Sequence, residues 1–242
     1  MEKINRYTKK EEYSYTLGAF PTLELIDKRP DLVKLVYIHD NFYEKEDLIN
    51  TCRNKGIDYE ISSKQVNRLS NKENTLVVGV FNKFYETPKK GDHIVLNEVS
   101  DMGNLGTIIR TMNGFNFNDL ILIGNVCDVF NPKTVRASMG SIFDMRIRHF
   151  NTIEEYMETY GKGRDLYLFM LSKNLKDSLY NTRRPDGKFS LIFGNEGSGL
   201  PASYEKFGRK VFIPQSDKVD SFNLPIACAI AMYEFNGSRG EI

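Results

Sequence analysis

The chain has 242 residues and a formal net charge of +1, with 40% hydrophobic and 27% charged residues. That composition describes a cored globular protein long enough for two small domains, and it excludes a disordered chain. Balanced charge along the chain excludes a strongly basic nucleic-acid magnet, and scattered cysteines and histidines exclude a disulfide framework or a metal site.

In chain order, the first predicted element is a helix over 18–26, followed by a strand at LVKLVYIH (32–39) rich in β-branched and aromatic residues. Residues 44–55 read as a helix stopped by Gly56. IDYEI reads as a short strand, SKQVNRL as a short helix and TLVVGV (75–80) as a buried strand. FYETPKKG (84–91) has the proline, glycine and lysines of a linker. It predicts a small α/β domain over 1–88 and a second domain over 89–242.

Beyond the linker, strands are predicted at HIVLNEV (93–99), DLILIG (119–124), MRIRHF (145–150), LYLFML (166–171), SLIFG (190–194) and KVFIP (210–214), with helices between them. Several are continuous apolar runs, the mark of strands covered on both faces. The alternation predicts an α/β domain on a mostly parallel sheet, whose ligands bind at the carboxyl ends of the strands. No apolar run approaches the roughly 18 residues of a membrane span. The opening residues are polar and lack a secretory leader, so a cytoplasmic protein that engages no membrane is expected.

Three segments carry chemistry. In VSDMGNLGTIIRTMNGFN (99–116), Leu105, Ile108, Ile109 and Met112 form an apolar helix stripe, and Gly114 suits the helix stop. Gly106, Arg110 and Asn113 are placed on the opposite face. Arg110 is either a solvated surface arginine or a guanidinium poised for a phosphate or a developing oxyanion. In SLIFGNEGSGLP (190–201), a buried strand runs into three glycines, either a plain turn or a place for backbone to approach a ligand. The order differs from a dinucleotide-binding fingerprint, and Glu196 makes the loop unlike a phosphate cradle. In KVFIPQSDKVDSFNLPIACAIAMYEF (210–235), Ser221 or Asn223 caps a helix whose residues at 227–231 are small enough for close packing.

Together these segments resemble the SpoU/TrmH family of RNA ribose methyltransferases in the SPOUT superfamily. The resemblance rests on Asn104, Gly106 and Arg110 in the first segment and on 194–200 in the second. In the third it rests on Ile213, Pro214, Ser221, Asn223, Tyr233 and Glu234. Arg136, Ser138 and Gly140 add an intermediate stretch. Gln215, Phe222 and Pro225 depart from the family's usual residues.

The resemblance implies a C-terminal parallel-sheet domain with a deep trefoil knot and a homodimer. It implies transfer of a methyl group from S-adenosyl-L-methionine to a ribose 2′-hydroxyl of RNA. Ribosomal RNA is favoured over tRNA, because residues 1–88 resemble a ribosomal-protein-like substrate-binding domain. A narrower version is an enzyme that modifies ribosomal RNA to block an antibiotic. The alternatives are a tRNA ribose methyltransferase and a noncatalytic RNA-binding relative. The resemblance further assigns catalytic roles to Asn104, Arg110, Glu196, Ser221 and Asn223. Gly194, Asn195, Gly199, Ile213, Pro214, Phe222 and Asn223 are assigned to the cofactor, and Arg110, Arg136 and Ser138 to RNA.

Overall fold

The computed structural model describes residues 4–70, 74–172 and 174–236. The chain forms two compact units. One takes the chain as far as Phe84 together with Asp128–Asp144, and the other takes Tyr85–Cys127 and the chain from Met145 on.

The first unit contains β1 (Tyr13–Tyr15), α1 (Ala19–Lys28), β2 (Val33–Ile38), α2 (Lys45–Asn54), β3 (Tyr59–Ile61), α3 (Ser63–Leu69) and β4 (Val77–Asn82). Its sheet has the order β1-β4-β2-β3, with β2–β3 parallel and the other pairs antiparallel. Alternation along β2 decides the two faces: Leu35 and Tyr37 pack with Val66 and Leu69 of α3, while Val36 and Ile38 pack with Ile26, Leu48 and Cys52 of α1 and α2. Strand β1 was not among the sequence expectations, because three residues are too few to show a period.

Residues 128–144 were expected in the second domain, yet they pack into this unit. Phe130 and Phe143 meet Phe81 edge-on, at ring separations of 6.4 and 5.1 Å. The Ser14 hydroxyl donates to the Phe130 carbonyl, Tyr7 donates to Asp128, and Lys28 pairs with Asp144. Gly140 has φ +83°, and a Cβ there would lie 2.6 Å from Glu24 Cβ, so only glycine fits beside α1. A cut at 88/89 therefore strips Phe130 and Phe143 of their partners.

The second unit holds β5 (His93–Asn97), α4 (Met102–Gly114), β6 (Asp119–Ile123), β7 (Arg146–Phe150), α6 (Ile153–Tyr160), β8 (Asp165–Phe169), β9 (Phe189–Phe193), β10 (Arg209–Val211) and α7 (Leu224–Asn236). The short helix α5 (Pro132–Ala137) belongs to the first unit. The sheet order is β10-β8-β9-β5-β6-β7, and every pairing is parallel. Val95, Ile121, Leu168 and Ile192 pack with Tyr156 and Tyr160 of α6. On the other face α7 packs on β9 and on α4, with the rings of Phe189 and Phe235 5.1 Å apart. The predicted parallel sheet covered on both faces is thus present. Strand β10 stops at Val211, short of the expected Pro214, because the chain leaves the edge of β8 there.

Candidate functional site

A cavity of about 330 Å³ opens at the carboxyl ends of β8, β9 and β10. Its size falls in the range of small-molecule sites. One wall is apolar: Phe169 and Phe193 end adjacent strands and stack at 4.6 Å with an 18° tilt. Another wall is the glycine loop 194–200, and Ile213, Gln215, Ser221 and Phe222 complete the lining.

The loop's shape follows from its own backbone. Gly199 has φ +68°, and its N–H donates to the Asn195 carbonyl at 2.9 Å. Asn195 Oδ1 accepts the N–H groups of Gly197 at 2.9 Å and Ser198 at 3.1 Å. A Cβ on Gly194 would lie 2.1 Å from the Gly199 carbonyl carbon and 2.3 Å from Leu200 N. Gly194 lines the cavity, but its first requirement for glycine is the return of the loop against itself rather than the approach of a ligand.

Three side-chain ties hold this loop and the turn that follows it to the end of β5 and the segment beyond. Asn195 Nδ2 donates to the Glu98 carbonyl at 2.8 Å. The buried Tyr204 hydroxyl donates to Asn97 Oδ1 at 2.6 Å, and burial pushes its pKa up to about 12. The Glu196 carboxylate accepts from the N–H groups of Ser100 and Asp101 and from the Ser100 hydroxyl, each at 3.2 Å. It also accepts from Asn104 Nδ2 at 3.1 Å. Burial alone would raise the Glu196 pKa. The hydrogen bonds from its own backbone, Asn104, Ser100 and Asp101 outweigh burial and hold it below the ordinary carboxylate value. The carboxylate also sits at the positive N-terminal end of α4, whose first turn is capped by Asp101 accepting from Asn104 N at 2.7 Å. Glu98 enters this turn with φ +54°, a left-handed conformation unusual for a residue with a side chain.

The expected site residues divide accordingly. Gly194, Asn195, Glu196, Gly199, Ile213, Ser221 and Phe222 line one cavity. Asn104 reaches it only through Glu196. Pro214 and Asn223 flank lining residues without lining the cavity. Asn223 immediately precedes α7, where its carbonyl accepts the N–H groups of Ile226 and Ala227 at 3.0 Å. Gln215 folds the rim by donating to the carbonyls of Val219 and Asp220, at 3.3 and 2.9 Å.

On α4 the stripe Leu105, Ile108, Ile109 and Met112 is buried as expected. Gly106 is also buried, so it does not share the solvent face. That face carries Gly103, Thr107, Arg110 and Gly114. Helix α4 ends at Gly114, but the left-handed residue after it is Asn116. Arg110 is exposed and is not a wall of the cavity. Arg136 and Ser138 belong to the other unit. Ser138 is fully buried and its hydroxyl donates to the Val135 carbonyl at 2.8 Å, so it serves its own turn rather than an exposed RNA face. Sequence reasoning missed Ser100, Asp101, Phe169, Tyr204 and Asn97. Only Asp101, three residues before Asn104, left a readable helix-cap signal.

Residues 92–233 match the model of the SpoU rRNA Methylase family. The chain belongs to the SpoU rRNA methylase family. The matched SpoU region contains every wall of the cavity. It is 31% identical over 145 residues to the 23S rRNA (guanosine(2553)-2′-O)-methyltransferase RlmP of Bacillus subtilis, covering 60% of this chain and 57% of that protein. The match therefore spans little more than half the length of that curated relative. The crystal structure of an AdoMet-bound rRNA methyltransferase from Sinorhizobium meliloti superposes with a TM-score of 0.80 at 26% identity, covering 95% of this chain and 89% of that one. The SpoU methyltransferase AviRb from Streptomyces viridochromogenes, in complex with AdoMet, shares the fold with a TM-score of 0.80 at 20% identity, covering 94% and 91%.

Proposed function

We propose that this chain is an S-adenosylmethionine-dependent methyltransferase that modifies a ribose 2′-hydroxyl of RNA, with ribosomal RNA as the substrate. The observation that carries this reading is the cavity at the carboxyl ends of β8, β9 and β10, walled by the glycine loop and rimmed by 213–222. Its donor set suits the cofactor. Backbone at Gly194, Ile213 and Phe222 offers hydrogen bonds to an adenine edge, and the Phe169–Phe193 pair offers an apolar surface. The one carboxylate in the glycine loop, Glu196, is already satisfied by the first turn of α4. When bound, the cofactor supplies a methyl group on a sulfonium.

The chain's own task is to orient the ribose and manage the hydroxyl proton. Arg110 suits this as a cation gripping the neighbouring phosphate and stabilising alkoxide charge. A guanidinium with a pKa above about 12 is a poor base. Since Arg110 is not a wall of its own cavity, the reading includes a second copy of the chain. Helix α7 supports that: it is apolar on nearly every side, yet Ile226 and Tyr233 are 52% and 67% exposed. The trefoil knot, a substrate-binding role for residues 1–88 and a cytoplasmic location belong to the same proposal. The names borne by the Bacillus and Sinorhizobium relatives support ribosomal RNA.

Mass mapping of ribose methylation in ribosomal RNA and tRNA, with and without the protein, tests it. A lost 2′-O-methyl group in ribosomal RNA is the expected result. A loss confined to tRNA would move the substrate, and no loss in either would remove the activity.

A further inference from the structure

The two ends of the six-stranded sheet differ in charge. Among the described residues, the segments at its carboxyl ends carry Glu98, Asp101, Asp177, Glu196, Asp217 and Asp220, against Lys176 and Lys218. The segments at its amino ends carry Lys89, Lys90, Lys162, Arg183, Lys188 and Arg209, none of them in an ion pair among the described residues. Five of these six are exposed and Lys188 is half-buried. Arg146 and Arg184 on the same edge are taken by Asp119 and Asp92, and Arg164 is buried. The other acidic groups near that edge are Glu86, Glu158, Asp165, Asp186 and Glu205, the last paired with Lys210.

These cations sit on one built edge. The Tyr160 hydroxyl donates to the Pro88 carbonyl at 3.3 Å, joining the segment of Lys89 to that of Lys162. Lys188 Cε lies 4.0 Å from the Cβ position of Gly163. The Tyr167 hydroxyl donates to the Arg183 carbonyl, and Arg209 Nη2 to the Asn181 carbonyl, both at 3.3 Å. The Arg184–Asp92 pair and the Phe189 N–H donated to Asp92 fix the other side of the 181–188 turn. The backbone segments that carry these cations are thus tied together along the edge, and the Arg209 side chain is itself hydrogen-bonded.

We propose that this amino-terminal edge is a contact surface for the phosphate backbone of RNA; the proposal rests on the RNA-methyltransferase reading. The acidic excess in the segments at the carboxyl ends disfavours a polyanion there, so a substrate of that charge gains from anchoring elsewhere. Five-residue strands separate the two ends by about 17 Å at roughly 3.3 Å per residue. That is about five base steps of a nucleic-acid strand, so one structured RNA spans both ends. Contacts of this kind position the backbone and read no sequence.

The test uses the full chain carrying Lys162→Glu, Arg183→Glu and Lys188→Glu. Binding is measured by filter retention of a labelled transcript of large-subunit ribosomal RNA over a salt series. The variant is expected to bind at least about tenfold more weakly, with the salt slope reduced by about two. Its melting temperature and its affinity for S-adenosylmethionine should match the parent chain. The corresponding glutamine triple variant should show a smaller loss in the same direction, which guards against a folding defect caused by charge reversal.

Parental RNA affinity and salt slope in both variants would overturn the proposal and leave the methyltransferase reading standing. A parent chain that retains S-adenosylmethionine but no RNA would overturn both. Retention of phosphatidylglycerol vesicles, with no charge-dependent retention of RNA, would reassign the edge to a membrane surface and also overturn it.

Discussion

Asn104 donates its side-chain amide to Glu196 across 3.1 Å, so the first turn of α4 and the glycine loop are joined through a single carboxylate. The same carboxylate takes the backbone N–H groups of Ser100 and Asp101, just before that turn. Glu196→Ala therefore releases the loop from α4 and leaves those donors to water. S-adenosylmethionine affinity should fall by at least about tenfold, with about 1–2 kcal/mol of stability lost. Calorimetric titration beside thermal melting checks both. Its depressed pKa also sets a sign. The contribution of Glu196 is complete above the ordinary carboxylate pKa and disappears as pH falls through its lower folded value. Acid should thus loosen cofactor binding in the parent chain and leave the alanine variant unmoved.

Gly194 and Gly199 should respond to alanine to very different degrees. At Gly194 the new Cβ meets backbone at 2.1 Å, and that backbone cannot give way without opening the loop. At Gly199 there is open space, and the cost is the left-handed φ alone, about 1–2 kcal/mol. Gly194→Ala should abolish cofactor binding, while Gly199→Ala should bind with modest loss. Equal behaviour of the two variants would contradict the self-contact account of the loop.

Arg110→Ala should melt like the parent chain, because an exposed helix position tolerates alanine within about 0.5 kcal/mol. Single-turnover methyl transfer should fall by at least about 100-fold, the scale of losing one preorganised charge-stabilising group. Arg110→Lys should be impaired too, since it keeps charge but loses the planar fork. Methylation by the alanine variant at the parental rate would make Arg110 ordinary surface.

His93 should set an acid limit on stability. It is fully buried, with Nε2 2.7 Å from the Lys89 carbonyl and Nδ1 3.0 Å from the Tyr156 hydroxyl. That arrangement suits a neutral ring donating from Nε2 and accepting at Nδ1. Burial first, then the Arg164 charge, lower its pKa from 6.5 to about 4. A depressed folded pKa means the full contribution is present above pH 6.5 and is lost as pH falls towards 4, by about 3 kcal/mol in all. Thermal melts across that window should show the loss, and His93→Gln should flatten it.

The parallel sheet was legible because its strands are near-continuous apolar runs, such as LILI in β6 and SLIF in β9. The cavity's glycine wall and its rim were legible because glycines and a polar loop interrupt those runs at the strand ends. What stayed hidden depends on partners distant in sequence. Tyr204 looks like any tyrosine until its hydroxyl meets Asn97, and Phe169 looks like core until it stacks on Phe193 at the cavity wall. Gly106 was misplaced because α4, with α7 packed along it, buries more than one apolar stripe. The allegiance of 128–144 was invisible because its aromatic residues would suit either core.

That allegiance also sets an order of assembly. A chain made from its N-terminus exposes β1 to β4 first, but the aromatic cluster that closes this unit lacks Phe130 and Phe143 until residues past 144 have emerged. By then β5, α4 and β6 have also been made, strung as a loop between the two parts of one core. The first unit to be synthesised is therefore not the first that can be finished, and its completion fixes both ends of the stretch that carries Asn104 and Arg110.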